Sequence, residues 1–168
     1  MFKKLFTLLI VFVIGCAGTM RTYHVNTRYD EFEKYHVYEQ NYNHNKTGIA
    51  WEDALNVRII KHDNGKKEYN IIIYKENPGV WLFANQPLKI KADTLLIEFA
   101  FLYEQSNVLA ASNIQKWGYY SADKESIDKI INAQRVIAKI STTDGFYEIN
   151  YKTGTIAKIK EFMMLYDK

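Results

Sequence analysis

The sequence predicts an α+β domain: an antiparallel sheet of about six to eight strands, a helix before the last hairpin and a C-terminal helix. Three observations carry this. Between Ile49 and Tyr103 apolar residues recur mostly at every second position, the period of a strand with one buried face. Turn sequences at Asp63-Asn64-Gly65, Asn77-Pro78-Gly79 and Asp144-Gly145 interrupt the runs, as hairpins require. After Tyr120 the period changes to that of a helix, returns to two, and ends helical. Strands first, then helix, hairpin and helix, is an α+β order. A two-sheet β-sandwich with peripheral helices is the alternative.

The first element is an export signal. Lys3 and Lys4 precede an apolar run from Leu5 to Ile14, interrupted by Thr7. As a helix it spans roughly 15 Å, about half the hydrocarbon thickness of a bilayer. That length suits a signal h-region and is too short for a stable transmembrane helix. The basic residues stay on the cytoplasmic side, so the chain beyond the apolar run is exported. The run closes on Val13-Ile14-Gly15-Cys16, which resembles the lipobox of bacterial lipoproteins. The resemblance covers about a tenth of the chain. It implies a diacylglyceryl thioether on Cys16, cleavage before it, and acylation of the new amine. Two or more acyl chains anchor firmly where one binds only marginally. Cys16 is the single cysteine, so no intramolecular disulfide is available.

The expected domains are the signal peptide at 1–15, the lipidated cysteine and short tether at 16–22, and one globular domain at 23–168. The tether beyond Cys16 reaches only about 20 Å when stretched, which keeps the domain near the membrane. Hydrophobic residues make up 48% of the 168-residue chain, with 13 Tyr, 9 Phe and 3 Trp, enough for a real core. Two prolines and eight glycines argue against a long disordered linker. The 22 basic and 19 acidic side chains give a net charge of +3, and Lys3 and Lys4 supply two of those charges. No clustered basic face marks a nucleic-acid binder.

Along the domain, Tyr29, Phe32, Tyr35 and His36 have helical spacing, which predicts a short helix from Asp30; Tyr23 and Val25 carry a weaker strand signal. Residues 41–48 read as a polar loop. From Ile49 to Lys61, Trp51, Leu55, Val57 and Ile59 share a face, with Asp53 the exception, while Glu52, Asn56 and Arg58 point the other way. A three-residue loop with Gly65 in the left-handed position pairs Ile59 with Tyr69, Val57 with Ile71 and Leu55 with Ile73, matching apolar faces. Val80 to Ala84 is a short strand, and Leu88, Ile90 and Ala92 mark another. Leu95 to Tyr103 is apolar on nearly both sides, which predicts the centre of the sheet. Residues 106–118 read as strand or helical turn. Ser121 or Asp123 caps a helix carrying Ile127, Ile130 and Ile131 on one face. In the last hairpin, a two-residue Asp144-Gly145 turn pairs Ile140 with Ile149 and Ala138 with Tyr151. Ile156, Ile159, Phe162, Met163 and Tyr166 form the apolar face of the C-terminal helix.

No catalytic constellation emerges. His24, His36, His44 and His62 lack the HxxxH or HExxH spacing of a metal site. Ser-x-x-Lys occurs at Ser121/Lys124 and Ser126/Lys129, and Lys-Thr-Gly at Lys46 and Lys152, but the Ser-Asp-Asn of penicillin-binding enzymes is missing. A lipidated Cys16 is no thiol nucleophile. Asp30, Glu31 and Glu33 read as a solvated face, and Asp53 as a strand end or a functional buried carboxylate. The aromatics are the remaining lead: Trp81 after a Pro-Gly turn, and Trp117, Tyr119 and Tyr120 in an expected loop, where they would stack on a sugar or anchor a partner. Packing at the edge of the core is their alternative role.

The expected function is therefore a membrane-anchored envelope lipoprotein, acting as a non-catalytic binding or scaffolding module without a cofactor. Its partners would be the membrane, through the lipid, and another envelope protein, not nucleic acid. A lipid- or glycan-binding lipoprotein is one alternative, and an enzyme whose site is scattered in sequence is another. The place would be the periplasmic or cell-surface side; with Ala17 after the cysteine, the family's sorting pattern in an enteric-type bacterium leaves the outer membrane open.

Overall fold

The computed structural model of the chain describes residues 23–41, 43, 53–76, 85–110, 113–142 and 145–168. Cys16 and the whole of 1–22, the loop at 44–48, the strand start at Ile49 and Trp51, the Asn77-Pro78-Gly79 turn, and Val80 to Ala84 with Trp81 lie outside the described residues.

The described chain is mostly antiparallel strand with two helices, an α+β composition. The strands are β1 (His24–Asp30), β2 (Tyr35–Asn41), β3 (Asp53–His62), β4 (Lys67–Glu76), β5 (Leu88–Ala92), β6 (Leu95–Phe99), β7 (Phe101–Ala110) and β8 (Asn113–Ala122), then β9 (Val136–Thr142) and β10 (Gly145–Tyr151). Helix α1 (Lys124–Asn132) lies between β8 and β9, and α2 (Thr153–Tyr166) closes the chain. The strands form not one sheet but two: a six-stranded sheet in the order β1-β2-β3-β4-β8-β7 and a four-stranded sheet in the order β10-β9-β5-β6.

One apolar core joins both sheets and both helices. Leu55, Val57, Ile59, Ile71, Ile73 and Tyr120 come from the larger sheet, and Leu88, Ile90, Val136, Ala138, Ile140 and Ile149 from the smaller. Ile127 and Ile130 of α1 and Ile156, Ile159, Phe162 and Met163 of α2 complete it. The predicted face of α2 is thus the buried one. Asp123 is the N-cap of α1, its carboxylate accepting from the Ser126 N–H at 2.7 Å. Asn43 ties the larger sheet to α2, its side-chain amide donating to the carbonyls of Leu55 and Thr155.

The first long hairpin has the expected register, with Ile59 opposite Tyr69, Val57 opposite Ile71 and Leu55 opposite Ile73, and Gly65 at φ 87°. Four other expectations are corrected. No helix starts at Asp30; β1 and β2 form a hairpin there, turned by the Asp30 carboxylate accepting from the Phe32 and Glu33 N–H groups, with Lys34 at φ 55°. The helical spacing of Tyr29, Phe32 and Tyr35 is coincidental: Tyr29 and Tyr35 lie on opposite faces of the hairpin, and Phe32 is exposed in its turn. Residues 113–122, including Trp117, Tyr119 and Tyr120, are strand β8 rather than loop. The last hairpin pairs Ile140 with Tyr147 and Ala138 with Ile149, two residues away from the expected register. A two-residue shift keeps every side chain on its face, so alternation cannot detect it.

The fourth correction concerns Leu95 to Tyr103. This run is not a central strand but two edge strands, β6 of one sheet and β7 of the other, separated at Ala100. The carbonyl of Ala100 still accepts from the Ser121 N–H at 2.9 Å. The run is apolar on both sides because the chain changes sheets midway, and Leu95, Leu96 and Leu102 remain exposed.

Gly145 has φ 138°, a conformation nearly confined to glycine. Gly145→Val is expected to cost about 1–3 kcal/mol. By contrast, a Cβ at Gly154 in the first turn of α2 meets nothing within 4 Å, so Gly154→Ala should add about 0.5 kcal/mol. Urea titrations of both variants check the pair.

Candidate functional site

Residues of β3 alternate between the core and the opposite face of the six-stranded sheet, where Ala54, Asn56 and Arg58 lie. That face is buried as well: Asn56 is 1% exposed and Arg58 7%. Its central feature is a row of residues directly opposite one another on four strands, Asn26, Glu39, Arg58 and Asn70. The sheet coils around this row. Laid flat, β1 and β7 would be about 24 Å apart at roughly 4.8 Å per strand. Instead Asn26 and Arg28 of β1 and Tyr103 and Gln105 of β7 line one groove of about 190 Å³, with Val37, Glu39, Arg58 and Tyr119 between them.

Arg58 is held from three sides. The Asn70 side-chain oxygen accepts from Nε at 2.9 Å and from Nη2 at 2.6 Å, while Nη1 donates to the Tyr103 hydroxyl at 2.8 Å. The guanidinium lies 4.7 Å from the centre of the Tyr119 ring, and Tyr119 is stacked on Tyr103 at 4.4 Å. The Tyr119 hydroxyl donates to Gln105 at 3.0 Å. Burial raises the Tyr119 pKa, and the charge of Glu39 adds to the rise.

Glu39 is 3.6 Å from Arg58 Nη1, an ion pair beyond hydrogen-bond length. Burial holds its pKa above the usual carboxylate value, against the opposing charges of Arg58 and Arg28. A carboxyl with a raised folded pKa favours folding less once ionised. The wild-type chain therefore gains stability as pH falls through the folded pKa of Glu39 toward its unfolded value. Glu39→Gln is expected to be at least as stable as wild type at pH 7, with that advantage closing on acidification. Melting curves at several pH values test the sign.

A second polar cluster lies on the core side at the end of β3. Asp53, directly opposite Lys75, is 2.9 Å from its Nζ, and Lys75 donates to the Tyr147 hydroxyl at 2.9 Å. The Tyr147 hydroxyl donates to Asp53 Oδ2 at 3.4 Å. The Tyr151 hydroxyl is buried without a hydrogen-bond partner among the described residues, and burial, followed by the charge of Asp53, raises its pKa well above the phenol range. Asp53 is thus a strand-end carboxylate, buried and ion-paired.

Of the candidates from sequence, Cys16 and Trp81 lie outside the described residues. The others are separated by strand alternation. Trp117 and Tyr119 are on the coiled outer face, Trp117 with its ring 5.2 Å from Tyr74 and Tyr119 in the groove. Tyr120 points into the core, edge-on to Phe101 at 5.7 Å. Sequence reasoning missed Arg58, Glu39, Arg28, Asn26, Tyr103 and Gln105, since strands far apart in sequence bring them together. One signal was available: Arg58 sits in a strand that is apolar around it on both faces, at Val57, Ile59 and Ile60.

The groove offers groups that bind and orient: two guanidiniums, one carboxylate, two phenols and two amides. Among the described residues no three or more His, Cys, Asp or Glu side chains are grouped to hold a metal. No helix among them is long and apolar enough to cross a membrane.

Comparison with protein-family models and with curated proteins finds no match. Among solved structures, the chain is similar to the crystal structure of invasion associated protein B from Bartonella henselae, at 12% identity and a TM-score of 0.43, over 90% of this chain and 100% of that one.

Proposed function

We propose that the chain is an exported lipoprotein, held at a membrane surface through lipidated Cys16, whose domain is a non-catalytic binding module for another envelope component. The observation that carries this reading is the segment from Met1 to Cys16: a basic start, an apolar run of signal length and a lipobox-like end. The coiled face with its fixed Arg58 supports the binding role, because its polar groups are already oriented. Cys16→Ser is expected to abolish membrane fractionation, and mass spectrometry of the mature wild-type N-terminus should find an acylated Cys16. An unmodified Cys16 overturns the anchor. A cross-linking pull-down from membranes that enriches no partner counts against the scaffolding role.

A second reading, a small-ligand-binding lipoprotein, is favoured by the groove itself. Its lining of Arg28, Glu39, Arg58 and Gln105 suits a polar ligand better than an acyl chain. The groove replaces the Trp117 to Tyr120 segment as the place for such a ligand.

A further inference from the structure

We propose that the groove binds a compact zwitterion of the α-amino-acid type, its carboxylate on Arg28 and Arg58 and its ammonium on Glu39. The inference rests on the small-ligand reading above and gives that site its chemistry.

The charges define the ligand first. Arg28, Arg58 and Glu39 line the same groove. A simple anion would gain from two guanidiniums but meet the Glu39 carboxylate. A simple cation would meet two guanidiniums. A neutral sugar displaces water from all three charges and adds no charged contact to the 3.6 Å Glu39–Arg58 pair. A ligand carrying an ammonium and a carboxylate on one carbon satisfies all three.

The protein groups show matching unfilled capacity. Arg58 uses three N–H groups on Asn70 and Tyr103, which leaves two of a guanidinium's five. Asn70 and Tyr103 hold the guanidinium, with the Tyr119 ring 4.7 Å away, so the remaining N–H groups are already fixed in direction when a carboxylate arrives. Arg28 is exposed at the mouth of the groove and forms no hydrogen bond with a described residue. Glu39 is half-buried and accepts no hydrogen bond from a described residue; its contact with Arg58, at 3.6 Å, is a charge pair only. A ligand ammonium brings three N–H donors to that carboxylate.

Size and lining agree. A volume of about 190 Å³ holds the equivalent of roughly six waters at about 30 Å³ each. It is smaller than the roughly 300–1,000 Å³ of sites for drug-sized molecules. Val37 and the half-exposed Tyr103 ring offer an apolar wall for a side chain, while Asn26 and Gln105 add amide donors and acceptors.

The test uses the mature full-length protein in detergent micelles and a panel of the L-amino acids. Saturation-transfer NMR detects binding and calorimetry ranks it. The tightest binder is then compared with its decarboxylated amine and its deaminated acid. Each analogue is expected to bind at least about ten-fold more weakly, the scale of one charge-assisted contact. Arg28→Gln should weaken the amino acid and the acid about ten-fold and spare the amine. Glu39→Gln should weaken the amino acid and the amine similarly and spare or improve the acid. Arg28 is exposed and Glu39→Gln removes a desolvated charge, so both variants should fold, which near-ultraviolet circular dichroism confirms. Binding that survives both substitutions overturns the proposal, as does a panel with no binder at about 10 mM. If glucose or N-acetylglucosamine binds and no amino acid does, the zwitterion falls and the small-ligand reading stands. If neither class binds, both fall.

Discussion

Replacing Lys75 by methionine should destabilise the domain by about 3–5 kcal/mol, the cost of leaving one partner of a buried ion pair uncompensated. Lys75 and Asp53 have side chains only about 10% exposed, directly opposite each other at the ends of β3 and β4. Without the ammonium, the Asp53 carboxylate keeps the Tyr147 hydroxyl at 3.4 Å as a weak donor, with the raised-pKa Tyr151 phenol nearby. Adding Asp53→Leu to Lys75→Met should recover most of the loss, because desolvation of both charges disappears with the pair. Urea unfolding of wild type, both single variants and the double variant gives the coupling energy. A coupling below about 1 kcal/mol would show that the pair behaves like a solvated surface bridge.

Arg58→Met should cost about 3 kcal/mol and abolish any binding in the groove. The loss has three parts. The Asn70 oxygen forfeits two charge-assisted donors, the Tyr103 hydroxyl one donor, and Glu39 its nearest cation. Methionine fills similar length but carries no donor. Arg58→Lys should rescue only part, since an ammonium cannot reproduce the planar two-point contact with Asn70. Adding Glu39→Gln to Arg58→Met should recover only the part of the loss due to the unpaired Glu39 carboxylate, without restoring binding. Equal stability of Arg58→Met and wild type would mean that solvent already screens the site.

Much of the fold could be read along the chain wherever the determinant is local. The β3–β4 hairpin is legible because its loop and its apolar faces select the same register. The α2 face is legible because Ile156, Ile159, Phe162 and Met163 repeat at the pitch of one helix. The β9–β10 register is not, because a shift of two leaves Ile140 and Ile149 on the same face. The β6–β7 run misleads for a related reason: burial on both sides of a central strand and a change of sheet at Ala100 produce the same double-apolar pattern.

The site was less legible than the fold. Tyr119 stood out as an aromatic, and the structure places it in the groove, but beside Tyr103 and Arg58 rather than in an exposed loop. Tyr120, its neighbour in sequence, belongs to the core because a strand sends successive side chains to opposite faces. Arg58 read as an outward-pointing polar residue, yet the coil of the sheet buries it.

Residue spacing alone specifies the β3–β4 register, a helix cap at Ser121 or Asp123, the apolar face of α2 and the period of most strands. Each depends on residues within a few positions of one another. Packing in three dimensions was needed to split the strands into two sheets, to put β6 and β7 at their edges, and to bring Asn26, Glu39, Arg58, Asn70, Tyr119 and Tyr103 together. The coil of a six-stranded sheet is a collective property of strand twist and packing, and it joins side chains from β1 and β7 that no spacing along the chain connects.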